Sequence, residues 1–221
     1  MPTIPILHES PHFMAIHKPC GLVVERDPHG YPSVEEWAWQ YLSARLKKPY
    51  VGIVHRLDRP VSGVLLVAKK KSTLRALNQQ FAARSVEKVY HAIVEQAPAE
   101  ASGTLEHWIG KNQKEKRGEI RKAHAPGAFA CRLDYELQQS LDNGYSLLEV
   151  RPHTGKFHQI RVQLAAIGCP IVGDEKYGAS SSYLPNGIAL HASRLGFVDP
   201  QTGSALKVEA PFPEVEVWEM G

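Results

Sequence analysis

His55-Arg56-Leu57-Asp58-Arg59-Pro60-Val61-Ser62-Gly63 leads directly into Val64-Leu65-Leu66-Val67-Ala68. Five apolar residues in a row, without polar alternation, predict a strand buried on both faces. A single carboxylate, Asp58, stands between Arg56 and Arg59 just ahead of that strand. Two readings fit an acidic residue in this setting: a surface ion pair, or a base or nucleophile held at the mouth of a strand.

Upstream, Thr3 to His8 and Phe13 to His17 read as short strands around a Ser10-Pro11 turn. Ser33 and Glu36 form a capping-box pattern, and Val34, Trp37, Ala38, Tyr41, Leu42 and Leu46 recur at helical spacing, so one apolar face is expected there. A second helix is predicted from Ser72 to Arg84, with Leu74, Leu77 and Phe81 inward. Downstream the strand signals dominate, at Glu87 to Glu95, Thr104 to Ile109, Cys131 to Gln138, Tyr145 to Val150, Ile188 to Val198 and Ala205 to Ala210. Turns are expected at Asp142-Asn143-Gly144 and at Asp199-Pro200, the latter closed by Gly203. A third helix from about Lys156 to Ile167 would bury Phe157, Ile160, Leu164 and Ile167 and leave His158 and Arg161 on a neighbouring polar face. This order predicts an α+β fold built on a mainly antiparallel, mixed sheet with flanking helices.

The 221 residues are 43% hydrophobic, enough for one sizeable core, and the lack of a Pro/Gly/Ser-rich linker predicts a single catalytic domain over residues 1–221. Cys20, Cys131 and Cys169 are odd in number and far apart, which suggests neither a disulfide framework nor a CxxC metal site and fits a reduced, cytoplasmic setting. The start of the chain has no basic region followed by a long apolar stretch, and no segment reaches about 18 uncharged apolar residues, so a soluble protein with no membrane contact is expected. Eleven histidines are scattered singly. With no zincin spacing, no Walker pattern and no GxGxxG, neither a metal nor a nucleotide cofactor is implied.

Net charge is only +3, but between residues 111 and 122 six cations, including Lys114, Lys116 and Arg117, face two carboxylates. Such a run either grips phosphates or forms a solvated, mobile loop.

Several separated stretches carry a family likeness. The stretch from His55 to Gly63 resembles the HRLDxxTSG motif of the RluA family of pseudouridine synthases. In the same order along the chain, Phe13-Met14-Ala15-Ile16-His17-Lys18-Pro19-Cys20-Gly21-Leu22 resembles that family's NKPSGL segment, and Lys88-Val89-Tyr90 its KxY segment. The run from Arg151 to Arg161, containing Thr154-Gly155-Lys156-Phe157-His158-Gln159-Ile160-Arg161, is similar to its TGRxHQ(I/L)R segment. Gly173-Asp174-Glu175-Lys176-Tyr177-Gly178, Leu190-His191-Ala192 and Ala210-Pro211 follow in register, so the resemblance covers roughly residues 5 to 213. Val61, Lys156, His17 and Cys20 depart from the usual threonine, arginine, asparagine and serine. At Lys156 a point charge replaces a bidentate fork.

The resemblance implies a bent, mainly antiparallel sheet with a central cleft, and a cofactor-independent isomerase that converts a uridine of structured RNA to pseudouridine. That reaction breaks the ribose–N1 bond, turns the retained uracil and rejoins it through C5, with no redox step. It implies Asp58 as the catalytic carboxylate, acting by covalent addition or by removal of a ribose proton. A carboxylate that must stay ionised away from water needs a cation nearby, and the resemblance puts Arg161 in that role. Tyr90 would lie against the target base. A stacked uracil is unreachable until flipped out, and Arg56, with its planar guanidinium, is suited to fill the gap. Lys156 and His158 are the remaining expected RNA contacts near the site. The protein is expected to act as a monomer on transfer or ribosomal RNA. Its short length, with no appended N-terminal RNA-binding module, tilts that expectation toward a small target such as a tRNA stem-loop.

Two other classes compete. An RNA-binding folding chaperone of the same fold would need no turnover, whereas Asp58, Tyr90 and Arg161 are all intact here. A hydrolase using Asp58 as nucleophile lacks a metal-binding carboxylate pair and a recognisable base.

Overall fold

The strand expected after Gly63 is present, and all of its residues, Ser62 to Ala68, are buried. In the computed structural model, which describes residues 3–28, 30–141 and 144–219, the chain begins β1 (Ile6–Glu9), β2 (Phe13–Lys18), α1 (Val34–Ser43), β3 (Gly52–Ile53), β4 (Ser62–Ala68) and α2 (Lys71–Ala82). It continues β5 (Glu87–Val94), β6 (Ser102–Asn112), β7 (Arg117–Arg121), β8 (Ala128–Ser140), β9 (Ser146–Pro152) and α3 (Gln159–Ala166). A 3-10 turn at Glu175–Tyr177 precedes β10 (Leu190–Val198), β11 (Ala205–Glu209) and a short α4 (Glu216–Glu219). Residues Asp142 and Asn143 of one expected turn lie outside the described residues.

The chain divides into two compact units, Met1–Lys88 with Ala192–Phe212, and Val89–His191 with Pro213–Gly221. In the first, strands run in the order β1, β2, β4, β10, with β3 also on β4 and β11 on β10. β2 and β4 are antiparallel, from Phe13 opposite Ala68 to Lys18 opposite Gly63. Phe13, Ala15, Val64, Leu66 and Ala68 from these two strands share a core with Leu77 of α2 and with Leu195 and Phe197 of β10. Phe13 meets Phe197 edge to face at 5.4 Å, a favoured aromatic geometry. Gly63 sits at φ 119°, and a Cβ there would collide with the backbone of Ala192, so only glycine permits this approach.

Both helices of the first unit follow their local signals. The Ser33 Oγ accepts from the Glu36 N–H at 3.1 Å and donates to the Glu36 carboxylate at 3.1 Å, so Ser33 is the N-cap of α1 and Glu36 reaches back to its hydroxyl. Val34, Ala38 and Leu42 are buried, but Trp37 and Tyr41 are only half-buried and stack on each other at 5.4 Å. Leu46 falls beyond the end of α1 and is 45% exposed, so it does not belong to the buried face. α2 stops two residues short of the expected Arg84, which takes a left-handed φ of 58°.

In the second unit the order is β5, β9, β8, β6, β7, all antiparallel. Ile109 of β6, Cys131 of β8 and Val162 of α3 pack together, with Tyr177 against them. The run from Lys111 to Lys122 is not an open loop: β6 extends to Asn112, a tight turn follows, and β7 returns from Arg117 to Arg121. The third helix starts later than expected, at Gln159. His158 is its N-cap in the left-handed region at φ 55°, and Phe157 is therefore outside the helix and 41% exposed rather than buried. Arg161, expected on a polar face, is 5% exposed.

Candidate active site

Asp58 lies, half-buried, in the segment joining β3 to β4, between Leu57 (7% exposed) and Val61 (3% exposed). Those flanking side chains anchor the segment on both sides. The Val61 N–H donates to the Asp58 carbonyl at 3.0 Å, closing a turn at Arg59-Pro60. The Gly21 N–H donates to the Arg59 carbonyl at 2.8 Å, and Arg59 Nε donates back to the Gly21 carbonyl at 3.1 Å. The two segments that resembled family motifs at residues 13–22 and 55–63 are thus laced together.

Lys18 completes the lacing. Its fully buried Nζ donates to the carbonyls of Leu22 (2.8 Å), Pro19 (2.9 Å) and Arg59 (3.2 Å). Burial pushes this amine down to about 7, while negative charge at Cys20 and Asp58 draws it back up. Three carbonyl acceptors match the three N–H bonds of an ammonium, not the two of a neutral amine, so the contacts favour the charged form beside Asp58. His55 is neutral: burial, reinforced by Lys88, pushes it down to about 3. Its Nε2 accepts from the Leu66 N–H at 3.1 Å, and its ring stacks on Phe81 at 4.8 Å, so it ties the Asp58 segment to β4. Arg56 points to solvent and pairs with Glu25 at 2.9 Å, with side chains 72% and 52% exposed. A pair that exposed contributes little and exchanges readily for another anion.

In the second unit, Arg161 holds a bidentate ion pair with Asp174: Nε to Oδ2 and Nη2 to Oδ1, both at 2.7 Å. Asp174 stands in the Gly173-to-Gly178 segment but carried no site assignment from sequence. A lone aspartate among glycines reads as a turn residue, and only its burial, 1% exposed, reveals an ionic role. The turn before α3 is equally tied down. Thr154 Oγ1 donates to Gln159 Oε1 at 2.7 Å, and that oxygen also accepts from the Lys156 N–H at 3.2 Å.

His158 Nδ1 is 2.8 Å from the Tyr177 hydroxyl, which also accepts from the Gly118 N–H of β7 at 2.7 Å. Burial foremost, then Arg161, Lys176 and Lys111, push His158 down to about 3, so near neutral pH it offers a ring and a hydrogen bond but no charge. Tyr90 is half-buried on β5, opposite Val150. Lys114 and Lys116 are exposed at the hairpin turn, whereas Arg117 is paired with Glu115 at 2.5 Å and Arg121 with Glu119 at 2.8 Å. Among the described residues no cluster of three or more His, Cys, Asp or Glu is placed to hold a metal ion, and no helix is long and apolar enough to cross a membrane.

Comparison with known proteins shows what the chain is similar to. Residues 12–166 match the family model described as RNA pseudouridylate synthase. An uncharacterized RNA pseudouridine synthase of Chloroflexus aurantiacus is 38% identical over 205 residues, 89% of this chain and 62% of the relative. Ribosomal large subunit pseudouridine synthase C of Rickettsia prowazekii is 33% identical over 214 residues, covering 94% of this chain and 68% of that protein. The chain therefore spans only about two thirds of the length of these relatives. Among solved structures, human RNA Pseudouridylate Synthase Domain Containing 1 is similar with a TM-score of 0.76 at 28% identity, over 97% of this chain and 86% of that one.

Proposed function

The chain belongs to the RNA pseudouridylate synthase family, and from that premise we propose that it isomerises one specific uridine of a structured RNA to pseudouridine, with Asp58 as the catalytic carboxylate. The observation that carries the reading is the family match over residues 12–166, which includes Asp58, Tyr90 and Arg161. The anchoring of the Asp58 segment supports it. A reacting carboxylate is effective only when held within a narrow geometry, and Lys18, His55 and Gly21 hold the segment that carries Asp58 through backbone contacts.

Within this proposal Asp58 attacks the nucleotide or takes a ribose proton, Tyr90 lies against the uracil, and Arg161 supplies positive charge to the catalytic set. Arg56, free to exchange Glu25 for phosphate or to stack in the vacated helix position, supports the flipped nucleotide. Lys156, His158, Lys114, Lys116 and Arg117 are the proposed RNA contacts. The order and spacing of the motifs support an RluA-type enzyme; within the same proposal it works as a single catalytic domain and a monomer in the cytoplasm, without a cofactor.

The substrate is transfer or ribosomal RNA, and the likeness to the Rickettsia ribosomal large subunit pseudouridine synthase makes large-subunit ribosomal RNA the first to test. Chemical mapping of pseudouridine in total RNA from cells with and without the gene identifies it. One position that loses its modification supports the proposal; an unchanged map contradicts it.

A further inference from the structure

On the β6–β7–β8 surface, Ile120 and Phe129 stand directly opposite Ile109, one on each neighbouring strand, so all three side chains share one sheet face. Where Ile109 sits, Val162 and Tyr177 cover that face. Cover then runs out: Ile109 is 3% exposed, but Ile120 is 43% and Phe129 53% exposed. Phe157, 41% exposed, lies at the same end, beside the hairpin, with its carbonyl 3.1 Å from where a Gly118 Cβ would stand.

The Phe157 ring is held firmly. Phe157 stacks on His158 at 3.8 Å and 20°, and His158 is fixed by the Tyr177 hydroxyl that also binds the hairpin backbone. Each phenylalanine also carries a lysine: Lys156 Nζ lies 4.2 Å from the Phe129 ring centroid and Lys111 Nζ 5.0 Å from that of Phe157. A cation over an exposed ring is held more weakly than a nucleobase stacked on it. Both ammoniums can therefore move to phosphates while a base takes their place on the ring.

We propose that Phe129 and Phe157, with Ile120 on the neighbouring edge strand β7 and Lys111 and Lys156 at the rim, form a stacking site for an unpaired nucleobase of the RNA substrate. The proposal rests on the reading that the chain acts on RNA. The two lysines beside the rings fit a polyanion with phosphates next to its bases as the occupant, whereas a second copy of this chain carries +3 and would bring like charge to them. Its chemistry is a nucleoside flanked by phosphates. The site selects single-stranded over paired RNA because only an unpaired base exposes its face.

The test uses the full chain with two probes, single-stranded oligouridylate and a fully paired RNA duplex of equal length, titrated over a range of salt. Phe129→Ala and Phe157→Ala should each weaken single-strand binding by about tenfold, with the salt slope and duplex affinity unchanged. Lys111→Gln and Lys156→Gln should make the slope shallower. Phe157→Trp, which keeps a stacking face, should retain affinity, and Phe157→Leu, which keeps apolar volume without a π-face, should lose it even though both fold. Unchanged single-strand affinity in the alanine variants, or an equal loss on duplex, overturns the proposal. So does a parent protein that dimerises in sedimentation and loses the dimer on Phe129→Ala, which would make the patch a self-association surface. Pseudouridine formation reads separately: isomerisation with unaltered single-strand binding in the alanine variants overturns the stacking site alone, and stacking without isomerisation overturns the enzymatic reading alone.

Discussion

Arg161 and Asp174 form a two-pronged ion pair, 2.7 Å at each prong, with side chains 6% and 1% exposed. The arginine expected to serve a catalytic carboxylate is thus held by a structural one. Bidentate geometry fixes the guanidinium plane, so Asp174 is a positioning residue for Arg161.

This pair makes a sharp prediction. Arg161→Met leaves Asp174 as a buried charge without its cation and should destabilise the protein by about 3–5 kcal/mol, seen as a lower urea midpoint. Arg161→Lys keeps the charge but loses the fork; it should recover part of the stability and little of the turnover. Equal recovery of both would mean that charge alone matters and that the fork has no positioning role.

Lys18→Met should cost about 3 kcal/mol or more, because three carbonyls lose a shared charged donor. Its effect on function should appear in kcat more than in RNA affinity, since the Arg59 carbonyl next to Asp58 is one of the three. Loss of stability with an unchanged kcat would show that the clamp does not position Asp58.

Stability should fall as the solution is acidified below the ordinary histidine range. His55 and His158 are each lowered from 6.5 to about 3, chiefly by burial. Between those values the folded chain binds fewer protons than the unfolded chain. The stability they contribute is full above 6.5 and is lost as pH falls toward 3. Urea unfolding near pH 7 and at about pH 5.5 separates this from carboxylate titration, and His55→Phe should flatten the difference. A variant with the same pH slope as the parent would remove His55 from this role.

The hairpin should divide its cations into two groups. Lys114 and Lys116 are exposed, so replacing each with glutamine should make the slope of log K against log salt shallower by about 1, raise KM and leave the single-turnover rate alone. Arg117 is tied to Glu115, so Arg117→Gln should change the slope less. An unaltered slope when Lys114, Lys116 and Arg117 are all replaced with glutamine would return the hairpin to a solvated surface with no part in RNA binding.

What was legible in the sequence follows from how local each signal is. The Ser33 N-cap with its Glu36 contact and the apolar run of β4 depend on neighbours in sequence, and both stand where the local signals put them. Hairpin β6–β7 was hidden because its charges mask the alternation: only Gly118 and Ile120 share the Ile109 face, while Arg117, Glu119 and Arg121 point the other way. Phe157 falls outside α3 because helical spacing says nothing about a left-handed residue at His158, which delays the helix start by three residues, from about Lys156 to Gln159. No linker marks the division into two units, since two of its three boundaries fall inside β5 and β10. Asp174 and Lys18 were in view as members of motifs, but burial and partners lie in the third dimension.

The central claim, that Asp58 is the catalytic carboxylate of an RNA uridine isomerase, is tested most directly by pseudouridine formation in Asp58→Asn under single-turnover conditions with saturating enzyme. The exchange keeps the shape of the side chain and removes its basic, nucleophilic charge. The predicted result is no product at any enzyme concentration, with an unchanged melting temperature and RNA affinity. Product formed at a rate within about tenfold of the parent would contradict the claim, because loss of the group that carries the chemistry cannot be so mild.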